Sequence, residues 1–234
     1  MRIVIVGKGN VAYNLQAAFD RGDIPCEMVS SYEGLDAIPQ NADVYIYAVR
    51  DTALADVIAQ VHVPQRAIHV HTSGTIPITV FGDDKPHCGI LYPFQSLSKA
   101  NILEDFTTVP VFIEARGIDD IAAIYTLALA LSPHVFESSQ ADRERLHIAG
   151  VFANNFTNCL YGIAKDVLKD THIPFSVLLP LIDETAKKVH TLSPKDAQTG
   201  PAVRGDEAVI AHHKSLLNEQ QREIYTILTK AIQS

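Results

Sequence analysis

The 234-residue sequence has no long apolar run, no excess of positive charge and few cysteines. No apolar stretch approaches the roughly 20 residues that a membrane-spanning helix needs, and the first ten residues lack a signal-peptide cleavage site. Acidic residues outnumber basic ones, 27 to 19, and the net charge of -8 disfavours nucleic acid and anionic lipid as partners. Three scattered cysteines, Cys26, Cys88 and Cys159, are typical of free thiols in a reducing compartment. We therefore expect a cytoplasmic protein with neither a membrane nor a nucleic-acid partner.

In the first half, short apolar runs alternate with amphipathic stretches. Helical spacing occurs at 11–19, 54–61 and 118–131. Strands separated by helices of this length indicate right-handed βαβ units and a doubly wound parallel sheet, which is an α/β fold. The predicted strands are 2–6, 26–30, 44–49, 67–71, 88–91, 109–114 and 134–137.

The second half has no strand signal from residue 140 onwards. Helices are predicted at 143–168, 175–192 and 208–232, with a loop at 193–205. The first of these helices carries a continuous apolar stripe, which is more apolar surface than a three-helix domain buries alone. We therefore expect a homodimer formed through the helical domain. The stripe comprises Ile148, Phe152, Phe156, Leu160, Ile163 and Val167.

A glycine-rich turn follows the first strand and opens the first helix. Gly7 permits a tight turn, Gly9 lets the backbone approach a pyrophosphate, and Ala12 lets the helix pack closely on the strand. Asn10 and Val11 belong to the same turn, where free N–H groups and the helix dipole favour an anion. We therefore predict a Rossmann-type dinucleotide-binding domain at 1–138 and an all-α substrate and dimerisation domain at 139–234.

The end of the second strand bears on the choice of cofactor. NAD-selective sites place an acidic residue there, but this chain has Ser30 and Ser31. Two hydroxyl groups without a carboxylate favour the 2′-phosphate of NADP. Glu33 lies close by, so NAD stays open as the less favoured cofactor.

Two further turns end the third and fourth predicted strands. Since ligands of open α/β sheets collect at the carboxyl ends of strands, we expect these turns to flank the nicotinamide half of the cofactor. Simple capping of helices and turns is the alternative, especially for Asp51 and Thr52. The residues concerned are Val49 and Arg50 in the first turn and Thr72, Ser73 and Gly74 in the second.

The helix at 143–168 carries polar residues opposite its apolar stripe. At a uniform 100° per residue, Asn154, Asn158 and Lys165 fall within about 20° of the direction of His147, with Asn155 at the edge. A solvated face is the plain alternative. Two consecutive asparagines are unfavourable within a helix, however, and a histidine with amides can protonate and position a carbonyl or imine.

The segment 199–206 is rich in glycine and proline. Arg204 offers a bidentate fork for a carboxylate or phosphate. The alternative is an internal pair between Arg204 and Asp206, with Asp206 capping the next helix. His69 and His71 share one strand face, but no third ligand has a recognisable spacing, so no metal site is predicted.

The chain resembles a known group of proteins on the motifs GKGNVA, AVRD, HTSG, YPFQSLS, LHIAGVFANNFTN and TGPAVRGD. The first half looks like the Rossmann domain of pyrroline-5-carboxylate reductases, deazaflavin-dependent NADP oxidoreductases and β-hydroxyacid dehydrogenases. The second half looks like the helical domain of unknown function in candidate bacterial NADP oxidoreductases. This resemblance implies functional roles for His147, Asn155, Thr199, Gly200, Pro201, Arg204, Gly205, Asp206 and His213.

Two positions depart from the patterns of these relatives. The catalytic lysine of the β-hydroxyacid dehydrogenases is replaced by the segment Ala153-Asn154-Asn155, and Tyr92 stands where relatives usually have histidine. The lysine mechanism therefore does not transfer, and a proton-transfer role for Tyr92 is put in question.

These features predict hydride transfer between NADP(H) and a small carbonyl or imine, held between the two domains. His147, Asn154, Asn155 and Arg204 are the expected catalytic residues. Thr199, Asp206 and His213 are expected to bind substrate. The alternative function is a nucleotide-binding sensor without turnover.

Overall fold

The computed structural model describes residues 1–32, 35 and 38–234. Its contacts divide the chain into two units, Met1–Phe152 and Ala153–Ser234. This division falls within the helix predicted at 143–168. The boundary at 138/139 concerns domains that fold as units, and it stays a prediction. No helix in the described part of the chain is long and apolar enough to cross a membrane.

The first unit is built on a seven-stranded sheet in the order β2-β1-β3-β4-β5-β6-β7. Every neighbouring pair is parallel except β5 and β6. The Rossmann-type α/β fold is confirmed, but the sheet is mixed because the segment between β5 and β6 contains no helix to carry a parallel crossover. The strands are β1 (Ile3–Val6), β2 (Cys26–Val29), β3 (Val44–Tyr47), β4 (Ile68–His71), β5 (Cys88–Pro93), β6 (Val111–Ala115) and β7 (Val135–Glu137).

Helices cover both faces of this sheet. Leu15 of the first helix and Ile124 of the third pack in one buried cluster, while Leu54 of the second packs in another with Tyr45 and Tyr47. All residues of β1 and β3 are buried, as the continuous β-branched and aromatic runs predict for strands covered on both sides. The helices are α1 (Asn10–Arg21), α2 (Asp51–Gln60), α3 (Ile118–Leu129) and α4 (Gln140–Gly150).

The second unit is helical, as predicted, but its helices differ from the predicted ones. A π-helix, Val151–Phe156, interrupts the predicted uniform helix, and two short helices, α7 and α8, lie in the predicted loop. The single helix predicted at 208–232 is two, because Asn218 and Gln221 form a capping box that starts a new helix. The α-helices are α5 (Thr157–Val167), α6 (Leu179–Lys188), α7 (Pro194–Ala197), α8 (Pro201–Arg204), α9 (Glu207–Leu216) and α10 (Glu219–Gln233).

The predicted apolar stripe is not buried within the second unit. Leu160 is 37% exposed and Val167 is 49% exposed. Within the described residues 153–234, Ile210 is the only buried apolar side chain. One chain therefore leaves most of this helix face exposed.

Candidate functional site

A cavity of about 360 Å³ opens where the carboxyl ends of β1, β2 and β3 meet. The strand order reverses at β1, and open α/β sheets bind ligands at such a point. The structure thus brings together most of the residues predicted to bind the cofactor. The cavity is lined by Gly7, Lys8, Gly9, Asn10, Val11, Ser30, Ser31, Tyr32, Ala48, Val49 and Arg50.

Steric requirements explain the glycine at the start of the turn. Gly7 has φ +128°, and a Cβ there would lie 2.4 Å from the carbonyl oxygen of Ala48. Gly9 is the N-cap of α1, and no side-chain oxygen of the described residues caps the helix there. Ala12 is fully buried. The first N–H groups of α1 are therefore available to an anion.

Asn10 contributes to the loop as well as to the cavity lining. Its Oδ1 accepts a hydrogen bond of 3.1 Å from the backbone N–H of Lys99. The side-chain amide nitrogen of Asn14, one turn further along α1, donates to the carbonyl oxygen of Ser98 at 3.1 Å. These asparagines tie the segment after β5 to the helix that begins at the glycine turn.

Arg50 lies beside the predicted cofactor-selecting serines. Its Nη2 donates to the hydroxyl of Tyr32 at 3.0 Å, while the N–H of Tyr32 donates to Ser30 Oγ at 3.2 Å. The sequence predicts Arg50 at the nicotinamide half of the cofactor rather than beside Ser31. β1 pairs with both β2 and β3, which brings the carboxyl ends of these strands together. This pairing is the signal that could have placed Arg50 beside the serines. Glu33 lies outside the described residues.

The turn after β4 is separate from this cavity. Thr72 and Ser73 are buried, and Ser73 Oγ accepts hydrogen bonds from the backbone N–H groups of Thr75 and Ile76 at 3.1 and 3.0 Å. The hydroxyl of Thr75 donates to Asp51 Oδ2 at 2.8 Å. Ser73 and Asp51 thus shape the turn, which agrees with the capping alternative for Asp51.

Tyr92 and His147 form a polar pair against this turn. Tyr92 Oη lies 3.0 Å from His147 Nδ1, and both side chains are half-buried. A Cβ on Gly74 would lie 2.9 Å from each of these two atoms. The Tyr92 ring packs edge-on against Phe94, with 6.1 Å between centroids. Burial raises the pKa of the Tyr92 hydroxyl above its usual value.

A buried ion pair lies on the same helix as His147. Arg143 of α4 is fully buried, pairs with Glu114 of β6, and donates to the carbonyl oxygen of Ile76 at 3.3 Å. His71 Nδ1 accepts from the N–H of Ser73 at 3.2 Å. Burial, followed by the charge of Arg143, lowers the pKa of His71 to about 4. Among the described residues, His71 Nε2 and Arg143 Nε have no hydrogen-bond partner.

His69 belongs to the core. Its Nδ1 lies 2.9 Å from Tyr47 Oη, and its ring stacks on those of Tyr45 and Tyr47. Burial lowers its pKa to about 3. Within the described ranges, no group of three or more His, Cys, Asp or Glu side chains could hold a metal ion.

The remaining predicted residues lie in the second unit. Asn154 and Asn155 are exposed and belong to the π-helix, so the uniform 100° spacing used to align them with His147 is wrong there. Arg204 is paired with Asp206, whose Oδ2 lies 2.9 Å from both Nε and Nη2. This is the internal pair that the sequence left open.

Two further predicted residues have local surroundings of their own. His213 Nδ1 lies 3.0 Å from Tyr225 Oη. Thr199 is exposed, and its carbonyl oxygen accepts from Gln198 Nε2 at 3.2 Å. Their substrate-binding roles stay predictions.

Comparison with known proteins places these features in a family. Residues 109–232 match a family described as a domain of unknown function, DUF2520. BF3122 from Bacteroides fragilis, a candidate NADP oxidoreductase, is 37% identical with a TM-score of 0.93, covering 99% of this chain and 97% of that chain. No curated protein matches the chain.

Two more distant structures share the fold. The protein TM1727 from Thermotoga maritima is 19% identical with a TM-score of 0.73, covering 98% of this chain and 96% of that chain. The pyrroline carboxylate reductase of Plasmodium falciparum, solved with NADP bound, is 10% identical with a TM-score of 0.61 and full coverage of both chains at 100%. By its match over more than half its length, and by its similarity to BF3122, the chain belongs to the DUF2520 family of Rossmann-fold proteins.

Proposed function

We propose that this protein is an NADP-dependent oxidoreductase that transfers a hydride between NADP(H) and a small carbonyl or imine compound. The observation that carries the proposal is the cavity in which the glycine turn, the two serines and Arg50 meet. The family relationship to BF3122, itself a candidate NADP oxidoreductase, supports the same reaction class.

The residues of the cavity suit a dinucleotide with a 2′-phosphate. The uncapped start of α1 would bind the pyrophosphate. Ser30, Ser31 and Arg50 would bind the 2′-phosphate, because an arginine near the end of the second strand is the usual partner of that group. Lys8 adds a second cation to the lining. The preference for NADP over NAD thus rests on charge as well as on the absence of a carboxylate among the described lining residues.

The reacting end of the cofactor would lie towards β4 and β5. Both strands are on the side of β1 away from β2, so a dinucleotide whose adenosine end occupies the cavity would extend along the carboxyl edge in their direction. When bound, NADPH supplies a hydride with both its electrons. Because Gly74 has no side chain, Tyr92 and His147 pack directly against its backbone, and both side chains carry exchangeable protons at that edge.

Roles for residues of the second unit remain part of the proposal. Asn154 and Asn155 would orient the substrate, and Arg204, with Thr199, Asp206 and His213 nearby in sequence, would bind an anionic group. Arg204 Nη1 is not engaged in the pair with Asp206. A carboxylate on the substrate would suit this cation.

The deciding experiment is a two-step assay on the purified protein. Calorimetry first compares NADP(H) with NAD(H), and a spectrophotometric screen then follows NADPH oxidation with keto acids and cyclic imines. We expect tighter binding of NADP(H) and turnover of at least one compound class. Binding without turnover of any compound would favour a nucleotide-binding sensor.

We also propose that the protein is a homodimer formed through its helical part. The second unit exposes large apolar side chains on every long helix, among them Leu181 at 64%, Leu216 at 72% and Ile227 at 65%. A single buried apolar residue, Ile210, does not make a core, so a second copy is the occupant that would bury the others. Light scattering at micromolar concentration should give twice the chain mass; the mass of one chain would contradict the proposal.

A further inference from the structure

We infer that Tyr92 is the catalytic acid of this oxidoreductase and that His147 is the positioning residue that returns its proton. The inference rests on the proposed function, because it assigns a step at the same site. Tyr92 and His147 come from different elements, the end of β5 and the last turn of α4, and their side chains meet at 3.0 Å.

The surroundings of the pair are typical of a ligand-binding site and not of a packed core. Neither side chain is fully buried, and the adjoining Gly74 has no room for even a methyl group between its backbone and the pair. The phenol is therefore held directly against the carboxyl end of β4, where Rossmann folds bind their ligands. Phe94 packs edge-on against the Tyr92 ring, with 6.1 Å between centroids, and so limits the rotation of that ring.

The direction of the hydrogen bond decides what the phenol can do. When His147 carries a proton on Nδ1, that N–H donates to Tyr92 Oη. The phenolic hydrogen is then free to point towards a substrate oxygen or nitrogen. The opposite direction would turn the hydroxyl away from the substrate, so the acid role requires the Nδ1-protonated imidazole.

The proton transfer balances the hydride that the cofactor supplies. As a C–H bond forms at the substrate carbon, the electron pair of the C=O or C=N bond moves to the heteroatom. That heteroatom takes the proton of Tyr92 Oη. Oη recovers a proton from Nδ1 of His147 as solvent protonates Nε2, so the imidazole stays neutral and then exchanges back to the Nδ1-protonated tautomer. The net change is one hydride from the cofactor and one proton from solvent.

Two charges act on the phenol, one from α4 and one from α2. Arg143 on α4 favours the phenolate, whereas Asp51 at the start of α2 disfavours it. Glu114 on β6 pairs with Arg143 and offsets its charge. Burial has the largest effect and keeps the phenol protonated at neutral pH, which is the form that an acid needs.

The first arm of the test needs no substrate. 3,5-Difluorotyrosine is incorporated at position 92, and its ¹⁹F signal is titrated with pH in the free protein, with NADP⁺ and with NADPH. The oxidised nicotinamide ring is positively charged, so a phenol beside it should ionise about one pH unit lower with NADP⁺ than with NADPH. The same label at Tyr125, an exposed position on α3, is the control and should show no difference.

The second arm separates proton transfer from binding. Tyr92→Phe keeps the ring and removes the hydroxyl, so NADP⁺ affinity by calorimetry should stay within about threefold while kcat falls by about 100-fold with the compound found by the screen. KM should change little. Circular dichroism and thermal unfolding check that the variant is folded, and Tyr125→Phe is the matched variant.

The outcomes distinguish this inference from the proposed function. Failure of the wild-type protein to bind NADP(H), or to oxidise NADPH with any compound, would overturn the proposed function and the inference with it. Binding with equal ¹⁹F titrations for NADP⁺ and NADPH, or unchanged kcat in Tyr92→Phe, would overturn the assignment of Tyr92 alone.

Discussion

Removing Arg143 and removing Glu114, which form an ion pair, should lower the unfolding free energy by different amounts. Arg143 is fully buried, whereas the Glu114 side chain is 22% exposed. Glu114→Ala leaves a guanidinium without a counterion in the protein interior, which should cost about 3–5 kcal/mol of unfolding free energy. Arg143→Met leaves a carboxylate that still reaches water and replaces the arginine stem with an apolar chain, so about 1–3 kcal/mol is expected. The double variant should be more stable than Glu114→Ala.

Urea unfolding, followed by circular dichroism and by tyrosine fluorescence, measures these differences. The surface pair between Arg2 and Glu27 is the matched control, because its side chains are 43% and 51% exposed. Glu27→Ala should change stability by no more than about 1 kcal/mol. If Arg143→Met is the more damaging of the two core variants, the reasoning from burial is wrong.

Three further variants test the turn, the cofactor choice and the core. Gly7→Ala should abolish NADP⁺ binding in calorimetry and lower stability by at least about 1–2 kcal/mol, because of its positive φ and the close approach to Ala48; Gly162→Ala on α5, with open space around it, should be neutral or stabilising. Arg50→Gln, in competition calorimetry, should weaken NADP⁺ by about tenfold and leave NAD⁺ nearly unchanged, since a charge-assisted bond at an exposed site is lost; equal losses would exclude a 2′-phosphate role. Burial lowers the His69 pKa to about 3, so the unfolded chain binds a proton at a higher pH than the folded chain does, and stability falls as pH drops from about 6.5 towards 3. His69→Gln should make this fall less steep in urea unfolding measured across that pH range. An unchanged slope would contradict the prediction.

The local parts of the fold were predictable from the sequence. The β-branched run of β1, the glycine turn and the start of α1 are encoded within a few consecutive residues, and the structure agrees with each of them. Local pattern does not specify strand direction, however. The reversal at β6 depends on what a segment lacks, namely a crossover helix, and a run of apolar residues is the same in either direction.

The site was harder to predict because it depends on residues far apart in the sequence. Arg50 reaches Tyr32 only because β1 pairs with two strands at once. From the sequence, Tyr92 is only a departure from the relatives. The structure adds that His147 of α4 lies within hydrogen-bond distance of it. Arg143, in a polar stretch at the start of a helix, gave no signal of burial; its pairing with Glu114 is a tertiary effect.

Helix registry was the other source of error. A uniform 100° rotation is a good assumption for most helices, but the π-helix at Val151–Phe156 contains wider turns and shifts every residue that follows. The consecutive Asn154 and Asn155 were a compositional sign of irregularity. From the sequence alone we interpret them as substrate-orienting residues, which remains a proposal, and not as a sign of an irregular helix.

The central claim is that the cavity at the carboxyl ends of β1, β2 and β3 selects NADP by the 2′-phosphate. The most direct measurement is a side-by-side calorimetric titration of the wild-type protein with NADP⁺ and NAD⁺ at one salt concentration. We expect NADP⁺ to bind at least about tenfold more tightly, because one charge-assisted contact to the extra phosphate contributes about that much. Tighter binding of NAD⁺, or no binding of either nucleotide, would contradict it.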